Sequence, residues 1–295
     1  MARGSIRVRV PAKVNLFLRV KGKRRDGYHS ISTLFHTVGL RDEIRLAPAG
    51  GLRFRATGLP SPRGSANLCV RAAFLLRDRF APGRGANISL LKRIPAGAGL
   101  GGGSADAAAT LAGLDRLWRL RLSRRTLAAL AAKLGSDVPF FLGGAAAVGR
   151  GRGERLSPVA SRLRAWAVIL KPRFPIPTGK AYRTLDRMGA HGRKGPRTTL
   201  ATMLKAVRRG GSLPPVRNDF TAIACRMRPA IRRLLQALDA AGASPAFMTG
   251  SGSAVVGVFP SALRARRAAR VLRRSFRGFL AVVPLRPYRI SMGSV

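Results

Sequence analysis

Aliphatic and polar residues alternate at the start of the chain: Ile6, Val8, Val10, Ala12, Val14, Leu16, Leu18 and Val20 fall on one face, with Arg7, Arg9, Lys13, Asn15 and Arg19 on the other. A period of two predicts a long half-buried strand and sets Lys13 and Asn15 side by side on its polar face. The run Arg25-Asp26-Gly27-Tyr28-His29 predicts a turn into a second strand, because Asp-Gly supplies the positive φ of a tight turn. Helical spacing then appears at residues 66–79, a strand at 87–92 and a helix over 104–118 with Ser104 as its N-cap. Another helix runs from Ser123 to Gly135, where glycine can adopt the left-handed C-terminal position, and Ser136-Asp137-Val138-Pro139 forms the exit.

Past Gly151 the pattern changes. Residues 166–171 read as a buried strand, 171–178 hold three prolines, and the stretch from Met188 to Pro215 is basic and turn-rich around a helix at 199–209. A helix at 231–241, strands at 254–259 and 279–284, and no internal repeat complete the pass. With 295 residues, two modest domains are expected, 1–158 and 159–295.

Composition changes this picture in one respect. The 56 Lys plus Arg stand against 11 Asp plus Glu, a formal charge of +45, and 47 of the basic residues are arginine. Such a surface attracts polyanions and equally steers an anionic small substrate, so charge alone leaves a nucleic-acid binder and a phosphate-handling enzyme both open. The densest stretch, Leu263 to Arg277, keeps Ala265, Ala268, Ala269, Leu272 and Phe276 at helical spacing with arginines between, the pattern of a solvated helix face. Cys69 and Cys225 are far apart and suggest neither a disulfide framework nor zinc, which fits a reduced, cytoplasmic setting. Met-Ala-Arg-Gly-Ser leads into the first strand without an apolar signal segment, and glycines and Pro260 interrupt the long uncharged stretch 246–263, so no membrane span is expected.

The strongest chemical signal is Pro95-Ala-Gly97-Ala-Gly99-Leu-Gly101-Gly102-Gly103-Ser104-Ala-Asp106, between a strand and a helix. Its five glycines in seven positions let backbone N–H groups and a helix N-terminus surround phosphate oxygens. Gly97, Gly99 and Gly102 also fit G-x-G-x-x-G, but the acid-ending strand that a dinucleotide fold needs about 20 residues on is missing. A Walker loop is excluded because no Lys follows the glycines, and H-R-D and D-F-G are absent. Asp137, one of nine aspartates, lies among apolar residues and is either a base or an N-cap for a turn at Val138. Lys13 alone reads equally as a solvated strand residue, and Tyr28, His29 and Tyr182 as packing residues or as stacking partners for a base.

Taken together, Pro11-Ala-Lys-Val-Asn-Leu-Phe-Leu, Asp26-Gly-Tyr-His, Pro95 to Asp106, Gly135-Ser-Asp-Val-Pro-Phe-Phe, Asn218-Asp-Phe and Met248-Thr-Gly-Ser-Gly-Ser resemble the GHMP kinases, over residues 10–284. The pairing of Pro-Ala-Lys-x-Asn-Leu with Asp-Gly-Tyr-His resembles the branch that phosphorylates a cytidine-diphosphate-linked polyol in non-mevalonate isoprenoid synthesis. The resemblance implies an α+β fold, with an N-terminal ATP-binding α/β domain, a C-terminal ferredoxin-like α/β domain, and the active site in the cleft between them. It implies ATP as co-substrate with Mg²⁺, and a small nucleotide-linked substrate with no obligatory nucleic acid or membrane partner.

On this resemblance, Pro95, Ala96, Gly97, Ala98, Gly99, Leu100, Gly101, Gly102, Gly103, Ser104 and Ala105 form the ATP loop; the metal ligands are not assigned by it, and Ser104 is a candidate by its position alone. Lys13 and Asp137 form the catalytic pair, and Asn15 lines the acceptor pocket. Tyr28 and Tyr182 sandwich the cytosine, His29 bonds its edge, and Thr178 lies near the diphosphate or polyol. Tyr182 stands where Phe is familiar and Arg183 where Lys is familiar; residues 189–215 and the tail from Arg286 match the pattern least, and the arginine excess is not a family trait. A kinase for homoserine or another simple alcohol is the alternative within the family, and a basic nucleic-acid-binding protein the alternative outside it.

Overall fold

The computed structural model describes residues 4–189 and 196–294; the first three residues, the last one and 190–195, within the basic turn-rich stretch, lie outside the described residues. Alternating aliphatics carry β1 (Ile6–Lys23) to the Asp26-Gly27 turn, where Gly27 takes a φ of +80°, and the chain returns through the 21-residue β2 (His29–Ala49). These pair antiparallel from Lys23↔His29 to Ile6↔Leu46, with a register shift between Pro11 and Ala12. Then come β3 (Leu52–Gly58), α1 (Leu68–Phe80) and β4 (Gly85–Lys92), the two strands parallel as a helical crossover requires. The glycine loop leads into α2 (Gly102–Leu117), followed by α3 (Arg124–Leu134), α4 (Val138–Gly143) and the hairpin β5 (Ala146–Arg150) and β6 (Arg155–Pro158).

A second sheet opens with β7 (Ala165–Lys171). Four helices follow, α5 (Thr178–Arg187), α6 (Leu200–Arg209), α7 (Thr221–Met227) and α8 (Ala230–Ala240), and then β8 (Ala246–Met248), β9 (Val255–Phe259), α9 (Ala262–Ser275), β10 (Phe279–Leu285) and β11 (Ser291–Ser294). The first sheet runs β11-β1-β2-β4-β3 with β5 and β6 attached to β2, and the second runs β10-β7-β9-β8, antiparallel throughout. Strand, helices, strand, strand, helix, strand is the ferredoxin-like succession that the resemblance implies. The chain leaves the first sheet at Pro158, yet its last strand returns to pair with β1 through Ile6↔Ser294. Among the described residues, no helix is long and apolar enough to cross a membrane.

β1 serves three parts of the core, the last through Leu18 and Val20. Ile6, Val8 and Val10 pack with α1 to α4; after the register shift, Ala12, Val14 and Leu16 pack with Ala167, Ile169 and Val256 of the second sheet. The other face of that sheet is covered by α5, α7, α8 and α9. The half-buried reading of β1 holds at its ends, where Arg9 and Arg19 are exposed, and is corrected at its centre: Lys13 and Asn15 are only 3% and 2% exposed. The glycine loop closes over the face that they share, with the Lys13 N–H donating to the Leu100 carbonyl.

Two helix ends also differ from the sequence reading. α2 begins two residues before Ser104, with Gly101 at the N-cap position at φ +72° and no side-chain cap, so the open first turn faces the loop. Gly135 ends α3 in an extended conformation rather than a left-handed one, because the chain runs straight on toward α4. In α9 the reading holds: Ala265, Ala268, Ala269 and Leu272 are buried, and the arginines between them are exposed.

Candidate functional site

The loop after β4, the open end of α2, the turn before α4, the β1–β2 turn and α5 surround one cleft of about 910 Å³. Lys13, Asn15, Tyr28, His29, Gly97, Gly99, Gly101, Ser104, Asp137, Thr178 and Tyr182 all line it. Pro95, Ala96, Ala98, Leu100, Gly102, Gly103 and Ala105 do not. Ala98 and Leu100 anchor the loop in the core between the sheets, and Ala105 is buried under the first sheet, so these residues turn their side chains from the cleft while glycines line it.

The loop is held by a second glycine turn. Gly99 and Gly250 approach backbone to backbone, and a Cβ on Gly99 would lie 2.2 Å from the Thr249 carbonyl oxygen. The Thr249 hydroxyl accepts from the Asn15 N–H at 3.0 Å, while the Asn218 amide donates to the carbonyls of Met248 (2.7 Å) and Gly250 (2.8 Å). Asp219, next in the chain, accepts from the Val20 N–H at 2.9 Å and ties the same segment to β1.

At the centre, Lys13 Nζ donates to Asn15 Oδ1 at 2.7 Å, lies 3.5 Å from Asp137 Oδ2 and stands 5.2 Å above the Phe35 ring. The Asn15 amide donates to the Thr33 hydroxyl at 2.8 Å, which donates in turn to the Phe17 carbonyl at 2.7 Å. Asn15 is thus fixed with its oxygen toward the ammonium. Asp137 occupies the N-cap position of α4 but has helical backbone angles and makes no capping bond. A capping Asp has extended angles and bonds a first-turn N–H, so the N-cap alternative loses its support. The Asp137 carboxylate is 30% exposed toward the cleft, and the ammonium beside it is 4% exposed. This geometry suits proton acceptance at the carboxylate and charge neutralisation at the ammonium.

At the other end, the His29 ring stacks on Tyr182 with centroids 4.6 Å apart, and His29 Nε2 lies 2.6 Å from Asp186 Oδ1. Tyr182 meets Phe220 edge-on at 4.8 Å. Burial, helped by the Asp137 charge, pushes the Tyr182 hydroxyl up to about 12, so it is a neutral phenol. Tyr28 is 56% exposed, with the Arg152 guanidinium 4.4 Å over its ring. Thr178, at the start of α5, shares a 2.9 Å hydrogen bond with Ser251 across the cleft mouth. Thr33, Arg152 and Asp186 escaped the sequence reading, and Thr249 and Asn218 entered it only as motif letters. Glycines flanking a hydroxyl at 249–252 were the one signal for Thr249; Arg152 carries none.

Residues 67–145 match the GHMP kinases N terminal domain, and residues 203–278 match the GHMP kinases C terminal domain. The 4-diphosphocytidyl-2-C-methyl-D-erythritol kinase of Moorella thermoacetica is 43% identical over 270 residues, 90% of this chain and 93% of that protein. The enzyme of the same name from Anaeromyxobacter dehalogenans is 44% identical over 281 residues, 92% of this chain and 87% of that protein. A crystal structure of 4-(cytidine 5'-diphospho)-2C-methyl-D-erythritol kinase superposes with a TM-score of 0.80 at 40% identity, covering 94% of this chain and 98% of that one. A homoserine kinase from Cytophaga hutchinsonii, at 17% identity and a TM-score of 0.69, shares the fold. With both domains matched and relatives of this identity spanning nine-tenths of its length, the chain belongs to the GHMP kinase family.

Proposed function

We propose that this chain transfers the γ-phosphate of ATP to the 2-hydroxyl of 4-(cytidine 5'-diphospho)-2-C-methyl-D-erythritol, giving the 2-phosphate and ADP in non-mevalonate isoprenoid precursor synthesis. One arrangement carries the reading. A lysine–aspartate pair beside an open helix N-terminus shares a single cleft with a cluster of aromatic rings large enough to hold a base. Relatives at 43% and 44% identity named 4-diphosphocytidyl-2-C-methyl-D-erythritol kinase support the choice of substrate over that of the more distant homoserine kinase.

Phosphoryl transfer asks the protein for alignment and for stabilisation of charge on the phosphoryl oxygens. Backbone N–H groups of residues 97–104 and the α2 dipole hold the ATP phosphates. Asp137 takes the proton of the attacking C2 hydroxyl, and Lys13 counters charge on the transferred group, steadied by Asn15. Tyr28 and Tyr182 receive the cytosine ring, His29 meets its edge, and Thr178 contacts the diphosphate or the polyol. Mg²⁺ takes few protein oxygens beside phosphate and water. Ser104, on the cleft wall in the first turn of α2, fits that sparse donor set; among the described residues no group of three or more His, Cys, Asp or Glu is gathered for a different metal. When bound, the ion neutralises the β- and γ-phosphates. Two buried free thiols, Cys69 and Cys225, support a reducing, cytoplasmic setting.

The test is ADP release with the cytidine-linked substrate, with homoserine and with methylerythritol lacking the cytidine, the product being located by phosphorus NMR. Turnover confined to the first, with a new phosphate on C2, is expected; equal or better turnover of homoserine overturns the substrate assignment.

A further inference from the structure

Behind the glycine loop, on the side away from the cleft, lies a buried cluster of charge that the proposed reaction does not use. Lys92 ends β4 and Asp106 sits in the second turn of α2, so the two bracket the loop, 14 residues apart in sequence. Lys92 Nζ donates to Asp106 Oδ2 at 2.5 Å and also to Asp42 Oδ2, from β2. The other Asp42 oxygen accepts the N–H groups of Arg93 (2.5 Å) and Ile94 (2.8 Å), the two residues that lead from β4 into the loop. Lys92, Asp42 and Asp106 are 2%, 0% and 3% exposed. The ammonium stands 2.9 Å from where a Cβ on Gly102 would lie, against the first residue of α2.

The arrangement is costly, which argues that it does something. One ammonium serves two carboxylates, and Asp106 Oδ1 has no hydrogen-bond partner although it is buried. Burial, with Asp42 adding to it, holds the Asp106 carboxyl well above the usual carboxylate range in spite of Lys92. Replacing a buried ion cluster with apolar residues of similar size is often neutral or stabilising, so stability alone does not account for three ionisable groups in this place. What the cluster does accomplish is geometric. It pins the entry of the loop through two backbone N–H groups on Asp42 and the exit through Asp106, and joins both pins at one atom.

We infer that Lys92, Asp42 and Asp106 are positioning residues for ATP: they clasp the two ends of the phosphate loop, so that the N–H groups between them hold the geometry the phosphates require. None of the three lies on the cleft wall, so they act through the loop backbone rather than by touching nucleotide. The inference rests on the reading of that loop as the seat of ATP.

The test uses the full chain and a non-hydrolysable ATP analogue, with binding measured by calorimetry in the absence of acceptor. Lys92→Met alone buries two carboxylates without a counter-charge and is expected to fold poorly. The informative variants are therefore Asp106→Asn, which keeps the Lys92 to Asp42 pair, and the double variant Lys92→Met/Asp106→Leu, which leaves a single buried carboxylate, Asp42, still accepting two backbone N–H groups. Both are expected to weaken the analogue by about tenfold or more, the scale on which supports behind a binding group act. KM for the cytidine substrate should stay within about twofold of wild type, a split that general destabilisation does not produce. Analogue affinity within about twofold of wild type in a folded variant, or equal weakening of both substrates, overturns the clasp; Asp106→Asn decides if the double variant does not fold. A wild-type chain that binds no ATP analogue overturns the underlying reading, and the clasp with it.

Discussion

Substituting Gly99 by alanine separates two reasons for a glycine in the loop after β4. At φ +76° the added methyl would lie 2.2 Å from the Thr249 carbonyl oxygen and 3.0 Å from its carbon, both backbone atoms of the second glycine turn. Neither can swing aside. The left-handed conformation costs an L-residue about 1–2 kcal/mol, and crowding in a closely packed site adds about 1–3 kcal/mol, together roughly 2–5 kcal/mol. Gly97→Ala is the control: its φ is also positive, +61°, but the nearest atom to the new methyl is Pro175 Cβ at an ordinary 3.6 Å, so only the conformational part of about 1–2 kcal/mol applies. Urea unfolding of both variants reads the difference. Relieving the Gly99 clash requires the two turns to part by about 1 Å, and a displacement of that size near reacting groups costs about a hundredfold in kcat/KM for ATP. Equal destabilisation by the two substitutions, or a Gly99→Ala chain with wild-type kcat/KM, would refute the argument from close approach.

Tyr28→Ala should weaken the cytidine substrate by roughly 1–3 kcal/mol, seen as a raised KM with KM for ATP unchanged, because it removes a stacking face at the open end of the cleft. Asn15→Ala leaves Lys13 without its 2.7 Å acceptor and the Thr33 hydroxyl without its donor; about 1–3 kcal/mol of stability should be lost in denaturant titrations, with a fall in kcat. His36 gives a pH signature. Its Nδ1–H donates to the Thr37 carbonyl and Nε2 accepts from Ser161, and complete burial lowers its pKa from 6.5 to about 4. Between those values the unfolded chain binds a proton that the folded one does not, so stability declines as pH falls from 6.5 toward 4, by about 3 kcal/mol in all, and levels off below. Thermal unfolding across that window should show the slope, and His36→Gln should flatten it.

Much of the fold was legible because local pattern and tertiary role agree. The Ala265, Ala268, Ala269 and Leu272 stripe predicted both α9 and its buried face, and Ser123 and Thr199 sit at helix N-caps, their hydroxyls accepting from Thr126 and Thr202. The glycine loop was legible because few other demands call for five glycines in seven positions. What escaped depends on distant chain. The polar face of β1 is buried by a loop some 85 residues on, and Asn15 meets Thr249 across 234 residues, distances over which periodicity carries no information. The return of β11 to the first sheet is equally non-local. α5, short and preceded by three prolines, has no helical signal in the sequence analysis, yet it carries Tyr182 and Asp186 one turn apart onto His29. Asp137 could not be told from an N-cap until its backbone angles and its 3.5 Å approach to Lys13 were known.

The central claim is that Asp137 accepts the proton of the attacking hydroxyl beside Lys13. Single-turnover phosphoryl transfer to the cytidine-linked substrate by Asp137→Asn, which keeps the size of the side chain and removes its basicity, tests it most directly. The expected result is a rate lowered by about 10²–10⁴ with ATP-analogue affinity close to wild type. A wild-type rate in a variant that binds both substrates would contradict the account.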